Sequence, residues 1–342
     1  MKYKLLSVRG KSATNIGDYI QALASAKFLP RIDGFINREK LADYDGEECV
    51  LIMNGWFMHD AHQWPPSDKL HPLFVAFHIN SSVADTMLQE KGLNYLKNHE
   101  PIGCRDINTV KLLTDHGVDA YYSSCMTLTL GEHYYDDMID PVDYFVDPFI
   151  PRPKSAIEII KNFIYYYHNK NDVITVCQKI YHNDKCNLKR RLISAGFLRL
   201  YSRLFSKHII VEGQYISQEG VFYKEKFKDD YERLSEAERL VKLYSRARLV
   251  VTNRIHCALP CLGLNTPVIF TLNSKDNEIN TCRFGGLIDL LNVVDCDDKS
   301  LIPRFLHRGL IDENHLPVNT DCWRSYATSL QQKCKAFINN RQ

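Results

Sequence analysis

No stretch of this 342-residue chain approaches the roughly 20 consecutive apolar residues needed to cross a bilayer. The opening MKYKLLSVRG holds too short an apolar run for a secretory signal, so the expected location is the cytoplasm. Paired cysteines are lacking too. The eleven cysteines are scattered with no CxxC spacing, and Cys49, Cys125 and Cys177 sit inside apolar segments, which argues against a disulfide framework and for reduced, mainly structural thiols. Neither sign of charge dominates. With 43 Lys and Arg against 41 Asp and Glu, the net charge of +2 gives no global case for nucleic-acid binding, so any anion site must be local. No short-period repeat is visible. What is present is ample core material: at 45% hydrophobic residues the chain is long enough for more than one core, and two domains are the default.

Buried-strand patterns alternate with helical ones. Strands are expected at 3–8, at 49–53 with a stop at Asn54-Gly55-Trp56, at 73–79, at 102–104 and at 120–126. Between them, 16–28 has helical spacing with Gly17 and Asp18 in its first turn, after a polar loop containing Gly10, and 108–117 makes a short helix. After an acidic, Pro-containing stretch at 136–153 the alternation resumes. Strands fit 144–146, 208–212, 249–253 and 267–272, and helices fit 154–168, 188–205, 231–246, 255–263 and 321–339, with 172–184 ambiguous. This order predicts an α/β fold of two doubly wound, Rossmann-like domains facing a cleft. The expected division is an N-terminal domain at 1–140, a linker at 141–153, a C-terminal domain at 154–318, and a terminal helix at 319–342 packing back on the first domain.

Segment 248–270, RLVVTNRIHCALPCLGLNTPVIF, carries the densest chemistry: a buried strand ends on Asn253, Arg254 and His256, and an apolar helix begins. In open α/β sheets that edge binds ligands, because free backbone N–H groups and the helix dipole attract anions. Arg254 offers a fixed fork of donors for phosphate or carboxylate, and His256 exchanges a proton near neutral pH. In the first half, Asn54, Trp56 and His78 also lie at expected strand ends, where a sugar could stack on Trp56.

Taken in order, Asn15-Ile16-Gly17-Asp18 after the first strand, Arg105-Asp106 before a helix, and Arg254-Ile255-His256 after the late strand resemble the polysaccharide pyruvyl transferase family over about 8–270. The resemblance implies a fold like that of GT-B glycosyltransferases, phosphoenolpyruvate as co-substrate with no other cofactor, and a bacterial surface-glycan sugar as acceptor, which a basic helix at 185–207 would suit if the sugar is polyprenyl-diphosphate-linked. The family's Arg-Leu-His element maps onto Arg254, Ile255 and His256.

Phosphoenolpyruvate carries about three negative charges, and burying it without cations would cost several kcal/mol, so arginines must converge on it. Arg254 is the first candidate, Arg283 in the Thr281–Gly286 loop the second and Lys275 the third. Asn15, Gly17, Asn54, Trp56, Arg105 and Asn253 complete the expected binding set. Protonated His256 is the expected acid toward the methylene carbon, and Asp18 the expected base toward the attacking hydroxyl. No metal is expected: His256, Cys257 and Cys261 lie close together, but no second ligand pair has zinc-site spacing. Seven basic residues and no acidic one between 185 and 207, interleaved with Leu and Phe, read as a basic amphipathic helix and a candidate contact with the inner face of the cytoplasmic membrane. Two other classes stay open, a GT-B-type glycosyltransferase using a nucleotide sugar and a non-catalytic carbohydrate-binding protein. Fold analogy alone does not separate them.

Overall fold

The structure is a computed structural model that describes residues 1–9, 14–181, 186–220, 223–273, 275 and 282–341. Gly10, Lys185 and Thr281, singled out above, lie outside the described residues. In chain order the strands are β1 (Lys2–Tyr3), β2 (Leu5–Ser7), β3 (Phe35–Asn37), β4 (Cys49–Phe57), β5 (Leu70–Ile79), β6 (Ile102–Cys104) and β7 (Ala120–Tyr122). They continue as β8 (Asp143–Val146), β9 (Gln214–Ile216), β10 (Leu249–Thr252), β11 (Val268–Asn273), β12 (Asn292–Cys296) and β13 (Leu301–Pro303). One sheet has the order β1-β4-β5-β6-β7 and is parallel throughout. A second has the order β13-β12-β11-β10-β8-β9, parallel except for β13 at its edge, and β2 pairs with β3 alone. The α/β class with parallel sheets is the one the alternation predicts. Central strands such as LVVT and VIFTL are buried along their length, as a parallel sheet covered on both faces requires.

Several local expectations are corrected. The single strand expected at 3–8 is broken at Lys4, so that β1 joins β4 while β2 joins β3. The strand expected to stop at Asn54 runs on to Phe57, because a register shift between Met53 and Gly55, with Gly55 at φ +110°, absorbs the irregularity as a bulge. Segment 208–212 is a helix, Lys207–Glu212, not a strand: the Ser206 hydroxyl accepts from the Ile209 N–H and starts the turn, and β9 follows it. The ambiguous segment is the helix Lys170–Ile180, which buries Val173, Val176 and Cys177 at helical spacing. The basic helix Leu188–Tyr201 turns Phe197, Leu198, Leu200 and Tyr201 into the core, so its apolar side is not available to a membrane.

The core that positions the site is continuous between the sheets. Helix Gly17–Ala26 packs against helices Asp230–Ser245 and Ile255–Gly263, and Ile16, Tyr19, Ile20, Tyr244, Cys257 and Ala258 belong to one apolar cluster. The C-terminal helix Arg324–Asn339 joins that cluster through Ala327, Leu330, Cys334 and Ile338. It meets the N-terminal half where Cys334 Sγ lies 3.9 Å from Met126 Sδ and Lys335 pairs with Glu132 at 2.6 Å. Burying Leu330 and Ile338 contributes about 1.5–3 kcal/mol each.

Candidate active site

The C-terminal edges of both parallel sheets open into one cleft of about 770 Å³, the position where parallel α/β sheets bind ligands. From the first sheet come Trp56 near the end of β4, His78 and Asn80 at the end of β5, and Arg105 after β6. From the second come Glu219 beyond β9, Asn253 and Arg254 after β10, and Arg283 beyond β11. Asn15 and Asp18, at the start of helix Gly17–Ala26, complete the wall between them.

Arg254 is held by two carboxylates. Its Nε donates to Asp147 Oδ2 at 3.0 Å, and its Nη1 meets Glu219. Asp147, in left-handed backbone at φ +42°, also accepts from the N–H groups of Gln218 and Glu219 and from the Ser217 hydroxyl, and so ties the end of β8 to the loop after β9. Asp tolerates this conformation better than most residues. Sequence placed Asp147 only in a linker, and the long-range pairing that gives it a role leaves no local signal.

His256 sits at a break in its helix, with φ −85° and ψ 17°. The Gln21 amide N–H group lies 3.3 Å from Nδ1 and 3.4 Å from Asp18 Oδ1. Turning the amide over would set its oxygen against that carboxylate, so the amide donates to Nδ1 and the ring proton resides on Nε2. Nε2 is buried with no partner among the described residues. Burial, and after it the charges of Arg105, Arg283 and Arg38, hold the His256 pKa well below the ordinary imidazole value. His256 is therefore held neutral, and it could act as an acid only where an anion offset those arginines.

The same shift affects stability. Below about pH 6.5 the unfolded chain binds a proton that folded His256 refuses, so stability rises with pH across the window between the depressed value and 6.5 and is lost on acidification. His78, lowered chiefly by burial, acts in the same direction. Melting temperature is expected to fall from pH 7 to pH 5, with a shallower slope in His256→Gln, as differential scanning calorimetry would measure.

Arg105 is 2% exposed, yet among the described residues its guanidinium has no ion pair and no hydrogen bond, and its Nε is buried without a partner. Arg38, which no sequence pattern distinguished, is also buried. It pairs with Asp18 at 3.2 Å and lies over the Trp56 ring, 5.5 Å from its centroid. Arg283 reaches the cleft because its turn docks on the start of helix Ile107–Asp115: the Ile107 N–H donates to the Gly285 carbonyl at 3.1 Å, and Asn108 bonds the Cys282 carbonyl. In the same wall Asp106 Oδ2 lies 2.6 Å from His78 Nδ1, leaving Nε2 as the nitrogen a ligand can use. Burial lowers the His78 pKa, which keeps the ring neutral and able to accept a proton.

Two expected site residues lie elsewhere. Asn54 is buried between β4 and helix Gly17–Ala26, accepting from the Ser25 hydroxyl at 3.0 Å and donating to the Gln21 carbonyl at 3.3 Å; it fixes the strand to the helix instead of lining the cleft. Lys275 is exposed and pairs with Asp298 at 3.1 Å, outside the cleft wall. Gly17 touches the site through its lack of a side chain, since a Cβ there would lie 2.9 Å from Asn15 Oδ1 and 3.0 Å from His256 Cβ. Gly17→Ala is therefore expected to displace His256 and lower turnover by roughly 10- to 100-fold, at a stability cost of about 1–2 kcal/mol. Steady-state kinetics beside a urea titration would separate the two effects.

The profile of the polysaccharide pyruvyl transferase family matches residues 15–275. No protein of curated function matches the chain. Among solved structures, a functionally uncharacterized protein from Klebsiella pneumoniae subsp. pneumoniae NTUH-K2044 aligns at a TM-score of 0.40 and 12% identity, over 86% of this chain and 93% of that one.

Proposed function

The chain belongs to the polysaccharide pyruvyl transferase family, and from that premise we propose that the cleft takes phosphoenolpyruvate as donor and forms a pyruvate ketal on a sugar of a bacterial surface polysaccharide or its lipid-linked precursor. The observation that carries the donor assignment is Arg105, a buried guanidinium with no ion pair or hydrogen bond among the described residues, beside a histidine whose charge is suppressed by burial and then by the surrounding arginines. Such a cation is costly to keep unless a ligand anion completes the pair during function. A phosphate or carboxylate fits, because the guanidinium fork matches either one in two-point contact.

The chemistry follows from that placement. Donor charge offsets Arg105, Arg283 and Arg38, so His256 takes up a proton and becomes an acid able to deliver it to the methylene carbon. The carbon that bears the phosphate ester develops oxocarbenium character and is attacked by a sugar hydroxyl, whose proton leaves to a base. A second hydroxyl then displaces phosphate, its proton leaving with the departing phosphate oxygen, giving the ketal and hydrogen phosphate. For the base, the His78–Asp106 pair is better supplied than Asp18: His78 is held neutral by burial and oriented by Asp106, whereas Asp18 is engaged by Arg38 and Gln21. Trp56, His59 and Asn80 form the wall toward the acceptor, with an aromatic face and polar partners suited to a sugar.

The test is incubation of purified protein with phosphoenolpyruvate and a panel of synthetic and lipid-linked glycosides, following phosphate release and product mass. Acceptor-dependent phosphate release matched by a pyruvyl mass gain supports the proposal. Transfer of a hexosyl mass from a nucleotide sugar, with no pyruvyl product, overturns it.

A further inference from the structure

Helix Ala156–His168 is built inside out. Its buried residue is Asn162, which packs against Gly196 of helix Leu188–Tyr201 and accepts from Arg199 Nε at 3.2 Å. Its apolar residues face outward: Ile157, Ile159, Ile160, Phe163, Ile164 and Tyr167 are each between 45% and 76% exposed. Ile157, Ile160, Ile164 and Tyr167 fall at i, i+3, i+7 and i+10, which makes a single stripe along the helix. An exposed stripe of this size marks an interaction surface.

The segment that contains this helix is strongly basic. Residues 152–207 hold 12 Lys and Arg against 3 Asp and Glu, a surplus of nine positive charges in a chain of net charge +2, so the remainder carries a net −7. Lys161 lies within the apolar helix and is exposed, and Arg191 bonds the Tyr166 hydroxyl at 3.2 Å, which puts its guanidinium beside the stripe, whereas Lys154, just before the helix, pairs with Asp298 at 2.9 Å. Of the few acids, Glu158 accepts from the Lys154 N–H and Asp172 pairs with Lys207. Among the described residues no helix is long and apolar enough to cross a membrane. Apolar side chains rimmed by cations, with tyrosines at the boundary, are what an interfacial helix presents to an anionic bilayer. A second copy of this chain would bring two strongly positive regions together, which like-charge repulsion opposes.

We infer that helix Ala156–His168 docks the protein on an anionic lipid surface, its apolar stripe entering the headgroup boundary and the exposed Lys161 on this helix and Lys189 on the adjoining helix Leu188–Tyr201 holding the phosphates. The membrane face is thus this helix, and the neighbouring helix Leu188–Tyr201 supplies charge. The inference stands apart from the donor assignment, because vesicle binding needs no phosphoenolpyruvate.

The experiment is co-sedimentation of the full chain with vesicles of phosphatidylcholine alone and of phosphatidylcholine containing phosphatidylglycerol as roughly a third of the lipid. The anionic vesicles are expected to bind the protein and the neutral ones to leave it in solution. Ile160→Glu with Phe163→Glu is expected to weaken binding about tenfold or more, and Lys161→Glu with Lys189→Glu by a similar factor. Circular dichroism establishes that the variants fold, and Ile160→Ser serves if the double substitution does not. Failure of the wild type to bind anionic vesicles overturns the inference. So does equal binding by a folded stripe variant, or a wild-type dimer in lipid-free buffer that the stripe variant converts to monomer.

Discussion

Arg105→Met is expected to lower kcat/KM for phosphoenolpyruvate by about a thousandfold or more while leaving the protein as stable as the wild type, or more so. The two halves of this expectation have one cause. Arg105 lies at the end of β6, 2% exposed, with no ion pair among the described residues, so the folded state carries a buried charge that Asp106 and Asp18 offset only from a distance. Methionine fills similar volume without that desolvation cost, and it also removes the fork that would bind the donor anion. A residue retained for packing would behave in the opposite way, with stability lost and activity per folded molecule preserved. Initial rates across donor concentrations, together with thermal melts, distinguish these outcomes.

His256→Gln is expected to reduce kcat by roughly 10²- to 10⁴-fold with a much smaller change in donor affinity. The amide keeps the approximate size of the ring but has no titratable proton to deliver. A second readout comes from the charge coupling in the cleft. Burial, and after it Arg105, Arg283 and Arg38, hold His256 neutral, so a bound anion that offsets the arginines should raise its pKa and draw a proton from solution. Titrations at one pH in buffers of different ionisation enthalpy are expected to show proton uptake on donor binding in the wild type and its absence in the glutamine variant. Equal proton uptake in both would assign the proton to another group, such as His78.

Much of this site was legible because strand ends in a parallel sheet declare themselves: a buried run such as LVVT can stop only where polar residues begin, and those residues fall on the ligand-binding edge. Asn253, Arg254, His256, Arg105 and Trp56 were all found in this way and line one cleft. The same reasoning misplaced Asn54, because a bulge at Gly55 carried β4 onward to Phe57 and left Asn54 inside the strand. Arg38, Asp147, Glu219 and the His78–Asp106 contact depend on residues that are distant in sequence, 107 positions apart for Arg254 and Asp147. Local pattern carries no record of such pairings. Helix Ala156–His168 shows a further limit: its apolar period announced a helix with an apolar face but could not say that the face points outward.

The most direct measurement is isothermal titration of phosphoenolpyruvate into the wild type and into Arg105→Met, both shown to be folded by their melting curves. The account expects one saturable site in the wild type, weakened beyond detection in the variant. Equal binding by the two proteins, or no binding by the wild type, would contradict the assignment of this cleft as the donor site.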